Sequence, residues 1–108
     1  MTIEANSEEM ECVVSLEQEI TELGSGFGGG RWPCEGPLWY KDEGHLLFSD
    51  IENNKRMKWS PSSGISLDFE PSNQANGLTR DLQGRLIACE HKTRRIVRYE
   101  PEGPVTVI

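Results

Sequence analysis

Glu35-Gly36-Pro37-Leu38-Trp39, then Gly44-His45-Leu46-Leu47-Phe48-Ser49-Asp50, then Lys55-Arg56-Met57-Lys58-Trp59, decide the fold because the chain writes the pattern a second time. The second copy is Asn76-Gly77-Leu78-Thr79, then Gly84-Arg85-Leu86-Ile87-Ala88-Cys89-Glu90, then Arg95-Ile96-Val97-Arg98-Tyr99. Gly36 and Gly77 stand 41 positions apart and Gly44 and Gly84 stand 40 apart, so the copies differ by one residue in the first turn. A period of roughly 40 residues, made of short apolar runs separated by glycine-bearing turns, is the signature of β-propeller blades. The fold class is therefore all-β, and chemistry is to be sought where blades meet at a central channel.

Turn residues divide each copy into four strands. Pro37, the run Lys41 to Gly44, Glu52-Asn53-Asn54, Ser60 to Gly64 and Pro71-Ser72-Asn73 bound strands at about 35–40, 45–51, 55–60 and 65–70. Gln83-Gly84, Lys92-Thr93-Arg94 and Pro101-Glu102-Gly103 bound a second set at 76–81, 85–91, 95–100 and 104–108. The predicted units are two four-stranded antiparallel blades, 34–71 and 72–108. A ring needs at least about four blades to close. At 108 residues the chain reads as the front end of a larger protein.

Outside the blades the sequence changes character. Residues 1–23 form an acidic extension whose first dozen residues are polar and aperiodic, predicting disorder. Residues 12–23 alternate loosely and suit a short helix or an outer strand. Residues 24–33 hold Gly24, Gly26, Gly28, Gly29 and Gly30 and read as a flexible connector. The formal charge of -7 arises wholly in the leader, because residues 1–30 carry seven Glu and no Lys or Arg, while the rest balances 11 acids against 11 bases. The repeat region thus has no electrostatic footprint for nucleic acid. Cys12, Cys34 and Cys89 are odd in number and form no CxxC pair, which argues against a disulfide scaffold and fits a reducing compartment. No segment has the length and apolarity of a membrane span or the form of a secretory signal, so a cytoplasmic protein is expected, with the periplasm left open if the N-terminus is misassigned.

In an up-and-down sheet the start of the first strand and the end of the second share one edge. Glu35 and Asn76 open the two inner strands; Asp50 and Glu90-His91 close the two second strands. All five fall on one face of the ring, with Glu35 and Asn76 nearest its axis. Convergent carboxylate and amide oxygens suit a hard cation such as Ca²⁺. The plainer alternative also stands, since Glu before Gly-Pro is an ordinary loop residue and Asn-Gly a hairpin signal. Cys89 is expected to pack as a small apolar side chain, and Trp39, Trp59, Phe48 and Tyr99 to form the core between blades.

With these motifs in order, residues 24–108 resemble the opening blades of the SMP-30/gluconolactonase/LRE family, in its gluconolactonase branch. Glu35-Gly36-Pro37-Leu38-Trp39, Leu47-Phe48-Ser49-Asp50-Ile51, Asn76-Gly77-Leu78-Thr79, Gly84-Arg85-Leu86 and Ala88-Cys89-Glu90-His91 carry the likeness. It implies a six-bladed propeller that hydrolyses sugar lactones with a divalent metal, usually calcium. Carried over by motif, Glu35 is a metal ligand and Asn76 a substrate contact, with Glu90 and His91 as further substrate-binding candidates. The general base and two remaining metal ligands are expected beyond Ile108, so this chain alone is expected to be inactive. The remaining blades, or self-association, would complete the ring. The alternative function is a non-catalytic propeller used for binding, because the fold alone implies no activity.

Overall fold

The computed structural model describes residues 3–108. Its strands are β1 (Cys34–Tyr40), β2 (His45–Asp50), β3 (Lys55–Ser60), β4 (Gly64–Phe69), β5 (Ala75–Arg80), β6 (Leu86–Glu90), β7 (Arg95–Tyr99) and β8 (Val105–Val107). They form two four-stranded antiparallel meanders, β1-β2-β3-β4 and β5-β6-β7-β8. These are the two blades anticipated from the repeat. Strand ends depart from the turn-based boundaries by no more than about two residues, as fraying ends commonly do. No helix among the described residues is long and apolar enough to cross a membrane.

The two blades copy each other down to an irregularity. Pairing of β1 with β2 slips between Glu35 and Leu38, and pairing of β5 with β6 slips between Ala75 and Leu78. Each bulge sits at the glycine of its inner strand, Gly36 or Gly77. A bulge inserts an unpaired residue, bends the strand and re-aims its side chains. Both blades therefore break their ladder at the residue pair that opens the inner strand.

β5 packs beside β1 and β2, and the backbones come tightly together at Gly36. Gly36 has φ +60°, and a Cβ there would land on the Asn76 carbonyl oxygen. That same oxygen accepts a hydrogen bond from Ser49 Oγ at 2.7 Å. Strand alternation then assigns the faces. In β6, Leu86, Ala88 and Glu90 are buried while Cys89 is exposed. Ala75, Ala88 and Val97 form the buried cluster, with Leu78, Tyr99 and Val105 against it.

Farther out the junction is carried by an arginine. Arg56, 7% exposed, lies over the rings of Phe69 and Tyr99, 4.9 and 4.5 Å from their centroids, and its Nε donates to Asp68. Phe69 and Tyr99 meet edge to face at 5.3 Å. Burying a guanidinium is tolerable here because a carboxylate and two ring faces replace its water. Tyr99 is thus an interblade residue as expected. Phe48 and Trp59 instead lie on the opposite face of the first blade, beneath the leader, because strand alternation turns them away from Ser49 and Arg56. Trp39 is 49% exposed, and Cys89 is exposed rather than packed, since it falls on the outward phase of β6.

The leader carries little regular structure. Glu8–Cys12 forms a 3-10 helix, and no strand or longer helix occurs over 13–23. Residues 24–33 carry no regular element, yet they are tied down. Phe27 packs edge to face on Phe48 at 5.5 Å, Gly28 N donates to Asp50 Oδ1 at 2.9 Å, and Arg31 N and Trp32 N donate to Glu52 Oε2 at 3.0 and 3.1 Å. Glycine here permits a close fit to the blade, at Gly29 against the Glu52 carboxylate, as much as it permits motion.

Gly36→Ala should destabilise the chain by about 2 kcal/mol or more, from left-handed backbone strain and the collision with a carbonyl that cannot retreat without parting the blades. Gly103→Ala, with nothing within 4 Å of its Cβ position, should be close to neutral. Urea midpoints of the two variants check the contrast.

Candidate functional site

One edge of the two sheets gathers the start of β1, the start of β5, the β2–β3 turn and the β6–β7 turn. The crossover from β4 to β5 sets this edge. Asn73 and Gln74 both adopt positive φ, 55° and 53°, a region that costs non-glycine residues energy unless their surroundings impose it. The surroundings here are polar and specific. Asn54 Oδ1 accepts from Gln74 N at 2.8 Å and Asn54 O from Ser72 N at 2.9 Å, while His91 N and Lys92 N donate to Gln74 O and Asn73 O. The crossover is thereby bonded to the corresponding turns of both blades just before Asn76.

Two buried carboxylates, repeat equivalents of each other, close the second strands. Asp50 is 3% exposed; Oδ1 accepts from Gly28 N, and both oxygens face Asn53 Nδ2 at 2.9 and 3.0 Å. Glu90 is 4% exposed and accepts from Asn73 Nδ2 at 3.0 Å, from Arg95 Nε at 2.7 Å and from Thr93 Oγ1. Burial alone would push the Glu90 carboxyl up, but the donors Thr93, Arg95 and Asn73 and the Arg95 charge more than reverse this and hold it below the usual carboxylate value. These bonds give Asp50 and Glu90 the work of pinning turns.

Glu35 and Asn76 differ from them. Glu35 is exposed at the start of β1, opposite Ser49, and its carboxylate takes no hydrogen bond or ion pair from the described residues. Asn76 is half-buried; its carbonyl is engaged by Ser49, whereas its amide has no partner among the described residues. The Gly36 contact brings the two residues to the same edge, as their matching repeat positions predict. His91 is exposed, meets the Trp32 ring edge to face at 5.0 Å, and shares with Trp32, Ile51 and Asn76 a depression of about 70 Å³. Trp32 was not among the residues singled out from sequence. It lies in the glycine-rich leader, and only the Glu52 clamp on its backbone brings it here.

The family model of the SMP-30/gluconolactonase/LRE-like region matches residues 33–108. The chain belongs to this family. A gluconolactonase of Zymomonas mobilis is 28% identical over an alignment covering 88% of this chain and 29% of that protein. A crystal structure described as a candidate gluconolactonase superposes with TM-score 0.68 at 34% identity, covering 81% of this chain and 29% of its own. A gluconolactonase of Xanthomonas campestris, described as important in glucose secondary metabolic pathways, superposes with TM-score 0.62 at 28% identity, covering 69% of this chain and 25% of its own. The chain thus spans under a third of the length of these relatives. The four-stranded units are blades of a β-propeller.

For the divalent cation expected from the family, the donor set decides the fit. Ca²⁺ takes about six to eight oxygen ligands. Among the described residues no three His, Cys, Asp or Glu side chains form a group able to hold a metal. Asp50 and Glu90 are occupied, which leaves Glu35 as the carboxylate without a partner at this edge, beside the Asn76 amide. Residues 3–108 therefore do not by themselves close a cation site.

The lowered pKa of Glu90 means that its contribution to stability is present above the ordinary carboxylate value near 4.5 and fades as pH falls through its lower folded value. Glu90→Gln should therefore be clearly destabilising at pH 7, with the gap to the parent narrowing as pH drops below about 4. Urea midpoints of both proteins across pH measure this.

Proposed function

We propose that this chain supplies the first two blades of a sugar lactonase acting on an aldonolactone such as glucono-1,5-lactone, with a divalent metal, calcium, at the channel. The observation that carries the reading is the division among four corresponding polar residues. Asp50 and Glu90 are consumed by turn hydrogen bonds, while Glu35 and the Asn76 amide are left without partners at the channel edge. A carboxylate and an amide left free at one edge, beside acids that the turns have already claimed, are available to a ligand.

In the overall reaction, the oxygen of water bonds to the lactone carbonyl carbon, the ring C–O bond breaks, and the departing ring oxygen takes one proton of that water to become a hydroxyl, the other remaining with the new carboxylic acid. A bound cation would supply charge to polarise that carbonyl. Glu35 would be this chain's anionic ligand to it. Asn76, fixed through its own carbonyl by Ser49 and through the preceding crossover by Asn54, would offer its amide to a substrate oxygen. Fixing the backbone on both sides limits the freedom of the side chain and so the ordering cost of binding. Family membership and the gluconolactonase relatives support this reading. A binding propeller without turnover is the outcome that would replace it.

The test uses a protein in which this chain is continued by its remaining blades. Glucono-1,5-lactone should be hydrolysed in a chelator-sensitive way. Glu35→Gln should weaken calcium binding at least tenfold and lower kcat/KM by about a hundredfold, because one charged oxygen leaves a small donor set. Titration calorimetry and a lactone-opening assay read these effects, and unchanged calcium affinity in Glu35→Gln would overturn the role given to that residue.

A further inference from the structure

We infer that residues 8–23 are a docking segment that folds into an amphipathic helix on a basic helical partner, one whose own apolar seam is bordered by Lys or Arg. The inference is independent of the lactonase reading, because it uses no residue of the channel edge.

Apolar spacing is the first argument. Met10, Val13, Leu16, Ile20 and Leu23 are between 44% and 79% exposed, and every residue from Met10 to Gly26 except Val14 is exposed. Steps of three and four residues put these five side chains on one side of a helix, whereas a strand would divide them between its two faces. Val13 and Ile20 take the a positions of a heptad, and Leu16 and Leu23 the d positions. A β-branched residue at a with leucine at d suits a seam between two helices.

Helix boundaries are the second argument. Glu8–Cys12 already winds as a 3-10 helix, Val13 continues it with right-handed helical backbone, and Val14 N donates to Met10 O at 3.0 Å, the four-residue reach of an α-helix. Ser7 stands at the N-cap with Glu8, Glu9 and Glu11 in the first turn, where acids suit the helix dipole. Gly24 follows the last apolar residue, and no proline intervenes. Beyond it the leader is fastened to the first blade by Phe27 on Phe48 and Gly28 N on Asp50, so the segment hangs from a fixed base.

What keeps the helix from extending in the free chain also specifies the partner. Glu4 with Glu8, Glu8 with Glu11, and Glu19 with Glu22 would stand three or four apart as like charges, and no Lys or Arg precedes Arg31 to offset them. Glu17 and Glu19 fall at the e and g positions beside the seam, where charge sets partner choice. A second copy or an anionic lipid surface would set like charge against like. A seam flanked by Lys or Arg relieves the repulsion and buries the stripe in one step, and these gains offset the ordering of the segment.

The 108-residue chain itself is the test object. Two three-heptad synthetic peptides serve as probes; both carry Leu at a and d, one with Lys at e and g and the other with Glu. The Lys peptide should bind at least tenfold more tightly than the Glu peptide, and in ¹³C,¹⁵N-labelled protein it should move the Cα shifts of residues 8–23 to helical values. Leu16→Ser with Ile20→Ser should weaken that binding at least tenfold while the blade signals stay in place. Glu17→Lys with Glu19→Lys should reduce or reverse the preference between the peptides, and added salt should shrink it in the parent. Equal affinities for the two peptides, no binding of the Lys peptide, binding that leaves the segment non-helical, or tighter binding to phosphatidylcholine vesicles than to the Lys peptide would each overturn the inference.

Discussion

The contact between Gly36 and the Asn76 carbonyl is the constraint on which the site edge depends. Two bulged inner strands come so close at Gly36 that no Cβ fits there, and the Ser49 hydroxyl caps the carbonyl that faces the gap. Because β1 carries Glu35 directly before this glycine, and β5 carries Asn76 at the contact itself, the spacing of blades and the spacing of the two side chains are one quantity. A wider junction would separate them. The closeness of the blades and the integrity of the edge therefore cannot be varied independently.

Around that contact the molecule sorts its polar groups by geometry. Asp50 and Glu90 point into turns, where amide, hydroxyl and guanidinium donors compensate the cost of burial. Arg56 achieves the same between blades with a carboxylate and two rings. No buried side-chain nitrogen or oxygen among the described residues lacks a partner. The carboxylate of Glu35, exposed at the rim, and the amide of Asn76, half-buried beside it, take no part in this pairing and meet at one edge.

Much of this was legible in the chain before any coordinates. Period, turn residues and alternation place all eight strands, because strand length and turn chemistry are local properties. The edge shared by Glu35, Asn76, Asp50, Glu90 and His91 follows from antiparallel topology alone. What local patterning cannot carry is which way a strand's phase falls relative to its neighbours. Trp39, Phe48 and Trp59 are aromatic whichever face they occupy, and only the register of β2 with β3 shows that Phe48 and Trp59 turn toward the leader while Ser49 and Arg56 turn toward the second blade. Cys89 was misplaced for the same reason, by one step of a period of two. The acids at 50 and 90 also look alike in sequence to the acid at 35. Their donors come from Gly28, Asn73 and Arg95, residues separated from them by turns or by the leader.

The leader shows where composition misleads. Five glycines in seven positions suggest slack, and a slack connector would contribute nothing to a binding edge. Glycine has a second physical meaning, however, which is that the backbone can approach another group without a side chain intervening. Gly29 uses it against the Glu52 carboxylate, Gly28 N bonds to Asp50, and these contacts bring Trp32 to the edge beside His91. The same glycines that hide any element from pattern reading allow the segment to lie flat on the blade, so a stretch with no regular structure supplies an aromatic wall to the pocket. Reading function from such a segment requires asking what its backbone amides bond to, since its composition records only what it lacks.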